Sequence, residues 1–280
     1  SLISDLIAQK ALKGKCLAVL ANHVLNHPSD DWPRRALLLP IMPRMVTVAV
    51  CEGRCVFHCR MCDRGKGRLR HLSAAKLTRV LNNAPTVDVC LFSARDSEPL
   101  MNPELAALLD ALKVEGVAWQ LVSNGALLND ALIEHMIVGE RRSSISFSLD
   151  AATPELYKDI RGYEFDKVVA NIRRLTKAKA AAGVESPAIS LQMVGMSDNI
   201  VDLPAMVDLA ADLGAGRVKL DHLQGDFQPG DFETRPDWRD WITAAVERAG
   251  ATRIFLQLPD DTRRRLNVKS PSGQSGDAQR

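Results

Sequence analysis

Long apolar runs are missing from this chain. No stretch of about 18 apolar residues occurs, so no membrane span is expected. The apolar segment from Ala11 to Leu25 is broken by Asn22 and His23 and is followed by no small-residue cleavage site, so no signal peptide is expected either. An excess of one charge is also missing. The 36 basic and 34 acidic residues leave a formal net charge of +2, which gives no general attraction to nucleic acid or anionic lipid. With 46% apolar and 25% charged residues in 280, collagen-like, disordered and disulfide-scaffold classes are excluded. Cysteine is absent beyond Cys90. The six that exist are Cys16, Cys51, Cys55, Cys59, Cys62 and Cys90, and four of them fall between residues 51 and 62. A secreted disulfide protein would spread them, so the crowding reads as a metal site in a reducing, cytoplasmic chain.

What is present is a regular alternation. Short β-rich runs at residues 45–50, 86–92, 117–123, 144–149, 188–194 and 217–221 alternate with helical spacing at 73–82, 103–114, 129–138, 165–182 and 203–213. A helix over about 236–249 and a run at 253–258 close the pattern. Strand–helix alternation predicts a parallel sheet with helical crossovers, and six units predict an α/β fold, a partial (β/α)6 TIM-like barrel. Residues 1–44 read as a helical extension and proline-rich lead-in, 45–262 as the barrel with its C-terminal cap, and 263–280 as a basic turn and disordered tail. The strands alternate in polarity. Ile145, Phe147 and Leu149 oppose Ser144, Ser146, Ser148 and Asp150; Gln192, Lys219 and Asp221 continue the polar side. Helices must cover the apolar faces, so the polar faces are expected to line a wet lumen. Asp221 and His222, at a strand's C-terminal end, belong to its rim.

The chemistry sits in Cys51-Glu-Gly-Arg-Cys55-Val-Phe-His-Cys59-Arg-Met-Cys62. Cys55, Cys59 and Cys62 form C-x3-C-x2-C directly after the first strand. Soft thiolates select zinc, copper(I) or iron–sulfur clusters. A structural zinc site uses two separated ligand pairs, and no second pair follows here. Three thiolates can hold three irons of a [4Fe–4S] cluster and leave the fourth open.

At these residues the chain resembles the radical S-adenosylmethionine (SAM) superfamily, over roughly residues 45–225. Ser97-Glu98-Pro99-Leu100 resembles the family's Gly-Gly-Glu-Pro, with Asp96 and Ser97 standing where the glycines are. Ser123-Asn124-Gly125 resembles Thr-Asn-Gly. Ser148-Leu149-Asp150, Thr153-Pro154-Glu155 and Ile160-Arg161-Gly162 resemble the SPASM-type subgroup that modifies peptides and small metabolites.

The resemblance implies a [4Fe–4S] cluster on Cys55, Cys59 and Cys62, and SAM held by Glu98, Asn124, Ser148, Asp150, Arg161 and Gln192. It implies reductive cleavage of SAM to a 5′-deoxyadenosyl radical that takes hydrogen from a peptide or small metabolite, and a one-electron donor such as flavodoxin or ferredoxin. Because no cysteine follows Cys90, the subgroup's C-terminal auxiliary-cluster domain is expected to be absent. Redox-neutral epimerisation, elimination or rearrangement is then expected over dehydrogenation. Cys90, sharing a strand face with Asp88, is the candidate hydrogen donor. The competing reading is a degenerate barrel that keeps a zinc or iron–sulfur site as a binding or accessory protein.

Overall fold

The computed structural model describes residues 43–63, 66–84, 87–137 and 142–268. The helical extension and Cys16 lie outside the described residues. Each run of alternating polarity became a strand, because alternation places one apolar row under covering helices. The strands are β1 (Met45–Arg54), β2 (Lys66–His71), β3 (Val89–Arg95), β4 (Ala118–Ser123), β5 (Ser144–Ser148), β6 (Ala188–Gly195), β7 (Arg217–His222) and β8 (Phe255–Gln257). The helices between and after them are α1 (Ala74–Asn83), α2 (Leu105–Val114), α3 (Asp130–Met136), α4 (Pro154–Arg161), α5 (Phe165–Ala182), α6 (Leu203–Asp212), α7 (Trp238–Thr252) and α8 (Asp260–Arg265).

The eight strands form one sheet in the order β2-β1-β3-β4-β5-β6-β7-β8. All neighbours are parallel except β1 and β2, which pair antiparallel. Among the described residues β2 and β8 are the two ends of the sheet, so the barrel is partial.

The six expected strands are all present, with two additions. The run at 253–258 joins as β8, parallel to β7. β2 was not expected: its Lys-Gly-Arg-Leu-Arg-His sequence has no β-branched residue and pairs only as the return of a hairpin. α4 was also not expected from periodicity; Thr153 at the cap position, Pro154 in the first turn and Gly162 in the left-handed conformation (φ +65°) frame it. The boundary expected at residue 263 falls inside α8. Arg263, Arg264 and Arg265 form its last turn rather than a basic turn, where cations suit the helix dipole.

Register fixes which side chains face which way. Leu121, Ile145 and Ile189 align across β4 to β6, and Ser123, Phe147, Leu191 and Val218 across β4 to β7. These side chains are buried, and α2 and α6 pack on this sheet. The opposite row, with Gln120, Ser146, Ser148, Gln192, Lys219 and Asp221, is only partly buried. The polar faces therefore meet solvent on the inner side of the curved sheet, and the C-terminal strand ends open onto the loops that carry the site.

Candidate active site

The cysteine loop leaves β1 and is fastened to the C-terminal end of α4. His58 N donates to the Arg161 carbonyl (3.4 Å) and Arg60 N to the Ile160 carbonyl (3.0 Å), one on each side of Cys59. Phe57 is buried and stacks on Tyr163 with centroids 4.5 Å apart. The Arg60 guanidinium ties the loop to Asp159 (2.6 Å) and to Asp198 after β6. Gly162 makes the approach possible, since a Cβ there would sit 3.3 Å from His58 Cβ.

The three thiols differ. Cys55 Sγ accepts from Phe57 N (3.4 Å) and lies 4.0 Å from Asn124 Nδ2. Cys59 Sγ accepts from Arg161 Nη1 (3.5 Å). Cys62 is exposed. Burial pushes the Cys55 thiol up, and Glu98, Cys59 and Cys62 push it further. Burial and Cys59 likewise raise Cys62, against the pull of Arg161. Cys55 and Cys62 therefore release protons when they ligate a metal.

A single zinc with Zn–S near 2.3 Å would draw its sulfurs to within about 4.6 Å of one another. Among the described residues the three cysteines do not form a group whose ligand atoms all lie within 4.8 Å. Three soft thiols on one loop are a donor set that suits a soft metal or an iron–sulfur cluster. Several buried polar atoms nearby, among them Arg161 Nε, Arg60 Nε and the Tyr157 hydroxyl, have no hydrogen-bond partner among the described residues.

Glu98 is 3% exposed and joins two strand ends. Its Oε1 accepts from Ser123 Oγ (2.6 Å) and Leu100 N (3.1 Å), and its Oε2 from Asn124 N (2.8 Å). Burial nevertheless raises its pKa. Asp96, which stands in place of a glycine, adopts φ +53°. Aspartate tolerates this left-handed region better than most residues, so the turn survives the substitution. Asn124 is buried, and its Oδ1 accepts from Ala126 N (3.0 Å). Gly125 has φ +74° and a Cβ would meet Phe147 Cδ1 at 2.9 Å, so glycine is required there.

Asp150 is fully buried and also left-handed (φ +64°). Its Oδ1 accepts from Val194 N on β6 (2.7 Å), and its Oδ2 pairs with Arg161. Burial pushes the Asp150 carboxyl up, and Arg161 pulls it back. Arg161 loses solvation, yet Asp150 and the Cys59 thiol more than offset this and keep it charged. A strained, buried ion pair beside a thiol is a feature of functional sites rather than of plain packing. Ser148 and Gln192 are register partners on the polar side. Gln192 Nε2 donates to Asp221 Oδ2 (2.7 Å), and Asp221 Oδ1 binds Lys219 (2.9 Å).

The thiols of Cys55 and Cys59, Glu98, Asn124, Asp150 and Arg161 thus lie in one linked region, with Ser148 and Gln192 on the adjoining lumen wall. Sequence reasoning missed Arg60 and Tyr157, whose roles depend on α4. It also missed Lys219 as the partner of Asp221, although their i, i+2 spacing on one strand face was a readable signal.

Cys90 requires a correction. It aligns with Trp119 and Val46 and shares the face of Phe92, the apolar side that the helices cover. It is completely buried, and burial pushes its thiol up to about 12. Asp88 does not turn it inward, being paired with Arg44. An apolar row under helices gives Cys90 no path to the lumen.

His222 lies at the rim, with Nδ1 3.0 Å from Asp231 and Nε2 3.3 Å from Asp261 on α8. Burial alone would lower its pKa, but the two carboxylates outweigh this and raise it. Nearby, Arg265 binds both Asp261 and Glu233 (2.7 Å each), so positive charge already fills that cluster. A raised histidine stabilises the fold fully below its unfolded pKa and loses that contribution as pH rises through the folded value. His222→Gln should therefore cost about 0.5–1 kcal/mol near pH 5.5 and almost nothing above pH 9. Urea unfolding at both pH values checks this; an equal loss at each would remove the ion pairs from the explanation.

These features place a three-thiol loop at the mouth of a partial barrel. The description of the Radical SAM superfamily matches residues 53–210, more than half of the chain. The chain belongs to the radical SAM superfamily, whose members use a [4Fe–4S] cluster and SAM.

It is 28% identical over 187 residues to a PqqA peptide cyclase of Gluconobacter oxydans, covering 65% of this chain and 50% of the relative. It is 25% identical over 167 residues to a probable GTP 3′,8-cyclase of Methanocaldococcus jannaschii, covering 59% and 53%. The chain spans about half the length of these curated relatives. Streptococcus suis SuiB bound to S-adenosylmethionine superposes with a TM-score of 0.61 at 14% identity, over 78% of this chain and 50% of that one. A radical SAM methyltransferase from Sphaerobacter thermophilus gives 0.54 at 19% identity, over 78% and 67%. At these identities the structures share the fold. Among the described residues no helix is long and apolar enough to cross a membrane.

Proposed function

We propose that this chain cleaves SAM reductively and takes a hydrogen atom from a peptide or small metabolite, in a redox-neutral conversion such as epimerisation, elimination or rearrangement. The observation that carries the reading is the cysteine loop itself: three thiols, two held by donors, opening onto a half-exposed polar lumen. When bound, the cluster supplies one electron to SAM, and the nucleoside radical supplies the hydrogen-abstracting power.

Cys55, Cys59 and Cys62 would hold the cluster. Asn124, Ser148, Asp150 and Gln192 line the approach to SAM, and Glu98 and Arg161 fix the loops that carry these groups. The remaining guanidinium nitrogen of Arg161, Nε, is buried without a hydrogen-bond partner among the described residues. The lumen residues Gln192, Asp221 and Lys219 orient the polar part of the substrate, while the covering helices shield the apolar side from water.

The redox-neutral outcome is supported by the other described thiols. Cys90 is fully buried under the helices and Cys51 is fully buried beside Ser97 and Glu98, so neither presents an exposed second thiol. The names of the cyclase relatives support peptide or nucleotide-like substrates. A flavodoxin- or ferredoxin-like donor would deliver the electron near exposed Cys62, in a reducing cytoplasm that keeps the thiols free.

The test is anaerobic reconstitution with iron and sulfide, followed by dithionite and SAM. A brown protein that releases 5′-deoxyadenosine is expected. A colourless protein with stoichiometric zinc and no nucleoside would replace this reading with that of a binding or accessory barrel.

A further inference from the structure

The side chain and the backbone of Arg161 both hold Cys59. Its Nη1 donates to Cys59 Sγ (3.5 Å), while the carbonyls of Ile160 and Arg161 accept from the residues on either side of that cysteine. The guanidinium is only 11% exposed and is pinned from behind by fully buried Asp150, which β6 holds through Val194 N. Among the described residues, only the Cys59 corner receives a hydrogen bond from a charged donor. Cys55 receives neutral ones.

We propose that Arg161 is a positioning residue that sets the reduction potential of the cluster through Cys59, with Asp150 as its counterweight. This rests on the proposed cluster and deepens that reading. Adding one electron makes the cluster more negative, so a positive donor on a ligating sulfur stabilises the reduced state and raises the potential. The Asp150 carboxylate opposes the effect. Low exposure makes both influences larger than they would be in water. Buried Tyr157, with its hydroxyl unpartnered on the same helix, lies within electrostatic reach of Cys59 and of the pair.

The test uses wild type, Arg161→Gln, Arg161→Lys and Asp150→Asn, all reconstituted anaerobically. Iron content, the EPR signal of the reduced cluster and the midpoint potential are measured with dithionite as the one-electron reductant, first without SAM.

In Arg161→Gln the potential should move down, cutting the ratio of reduced to oxidised cluster at a fixed poise about tenfold, or about 59 mV for one electron. Arg161→Lys should lie between Gln and wild type. Asp150→Asn, which keeps an acceptor for Val194 N, should move the potential up. Opposite signs are the signature, because a merely structural pair would lower iron content in both variants without dividing the potentials.

Unchanged potentials with full iron would overturn the proposal, and so would shifts of the same sign. Weakened SAM binding at an unchanged potential would assign Arg161 to the SAM carboxylate instead. If Arg161→Gln loses its iron, the Asp150→Asn potential decides: no upward shift overturns the proposal. If wild type itself forms no cluster, the functional reading fails along with it.

Discussion

Cys59→Ala, reconstituted with iron and sulfide in the absence of air, should lose its visible absorption and most of its iron. SAM cleavage should fall more than about a thousandfold, which corresponds to about 4 kcal/mol of activation free energy. Cys59 is the thiol most firmly built into the scaffold, gripped by Arg161 and flanked by two backbone hydrogen bonds to the end of α4. The two remaining thiols cannot replace the third corner of the cluster. Cys51→Ala is the control. Cys51 is fully buried on the sheet and should cost about 1 kcal/mol of packing while iron and cleavage persist. Iron content and 5′-deoxyadenosine release distinguish the two variants. Cleavage retained in Cys59→Ala would refute the ligand assignment.

Asp150→Ala should remove about 3–5 kcal/mol of stability, because it strands the buried Arg161 charge and the Val194 N–H together. Since a domain's whole stability is about 5–15 kcal/mol, much of the protein would be unfolded in mild denaturant. Alanine also tolerates φ +64° poorly. Asp150→Asn keeps the left-handed backbone and the Val194 contact, and should cost clearly less. Urea unfolding of the metal-free proteins gives both values from the midpoints at constant m. Equal small losses for the two variants would show that the pair contributes little to folding.

The strands were legible because each alternates polar and apolar residues, and a period of two admits one assignment of faces. Ile145 and Phe147 against Ser144, Ser146 and Ser148 sufficed to name the covered side and the wet side of β5. The cysteine spacing was legible for a similar reason: local spacing survives folding unchanged. β2 was not legible, since its basic sequence has no periodic signal and depends on β1 for pairing. Cys90 was misread because its neighbour Asp88 suggested an inward face. The register with Trp119 and Val46 places it under the helices instead.

By itself the sequence determined the α/β alternation, the three thiols after the first strand, and the acidic and amide residues at the strand ends. These depend on spacing within short segments, where side-chain chemistry and backbone period act directly. Only the tertiary structure decided that α4 clasps the cysteine loop, that Asp150 and Arg161 form one buried pair on Cys59, and that Glu98 bridges the ends of β3 and β4. Those contacts join residues from 11 to 102 positions apart. Their partners are chosen by packing and desolvation, which no local pattern records.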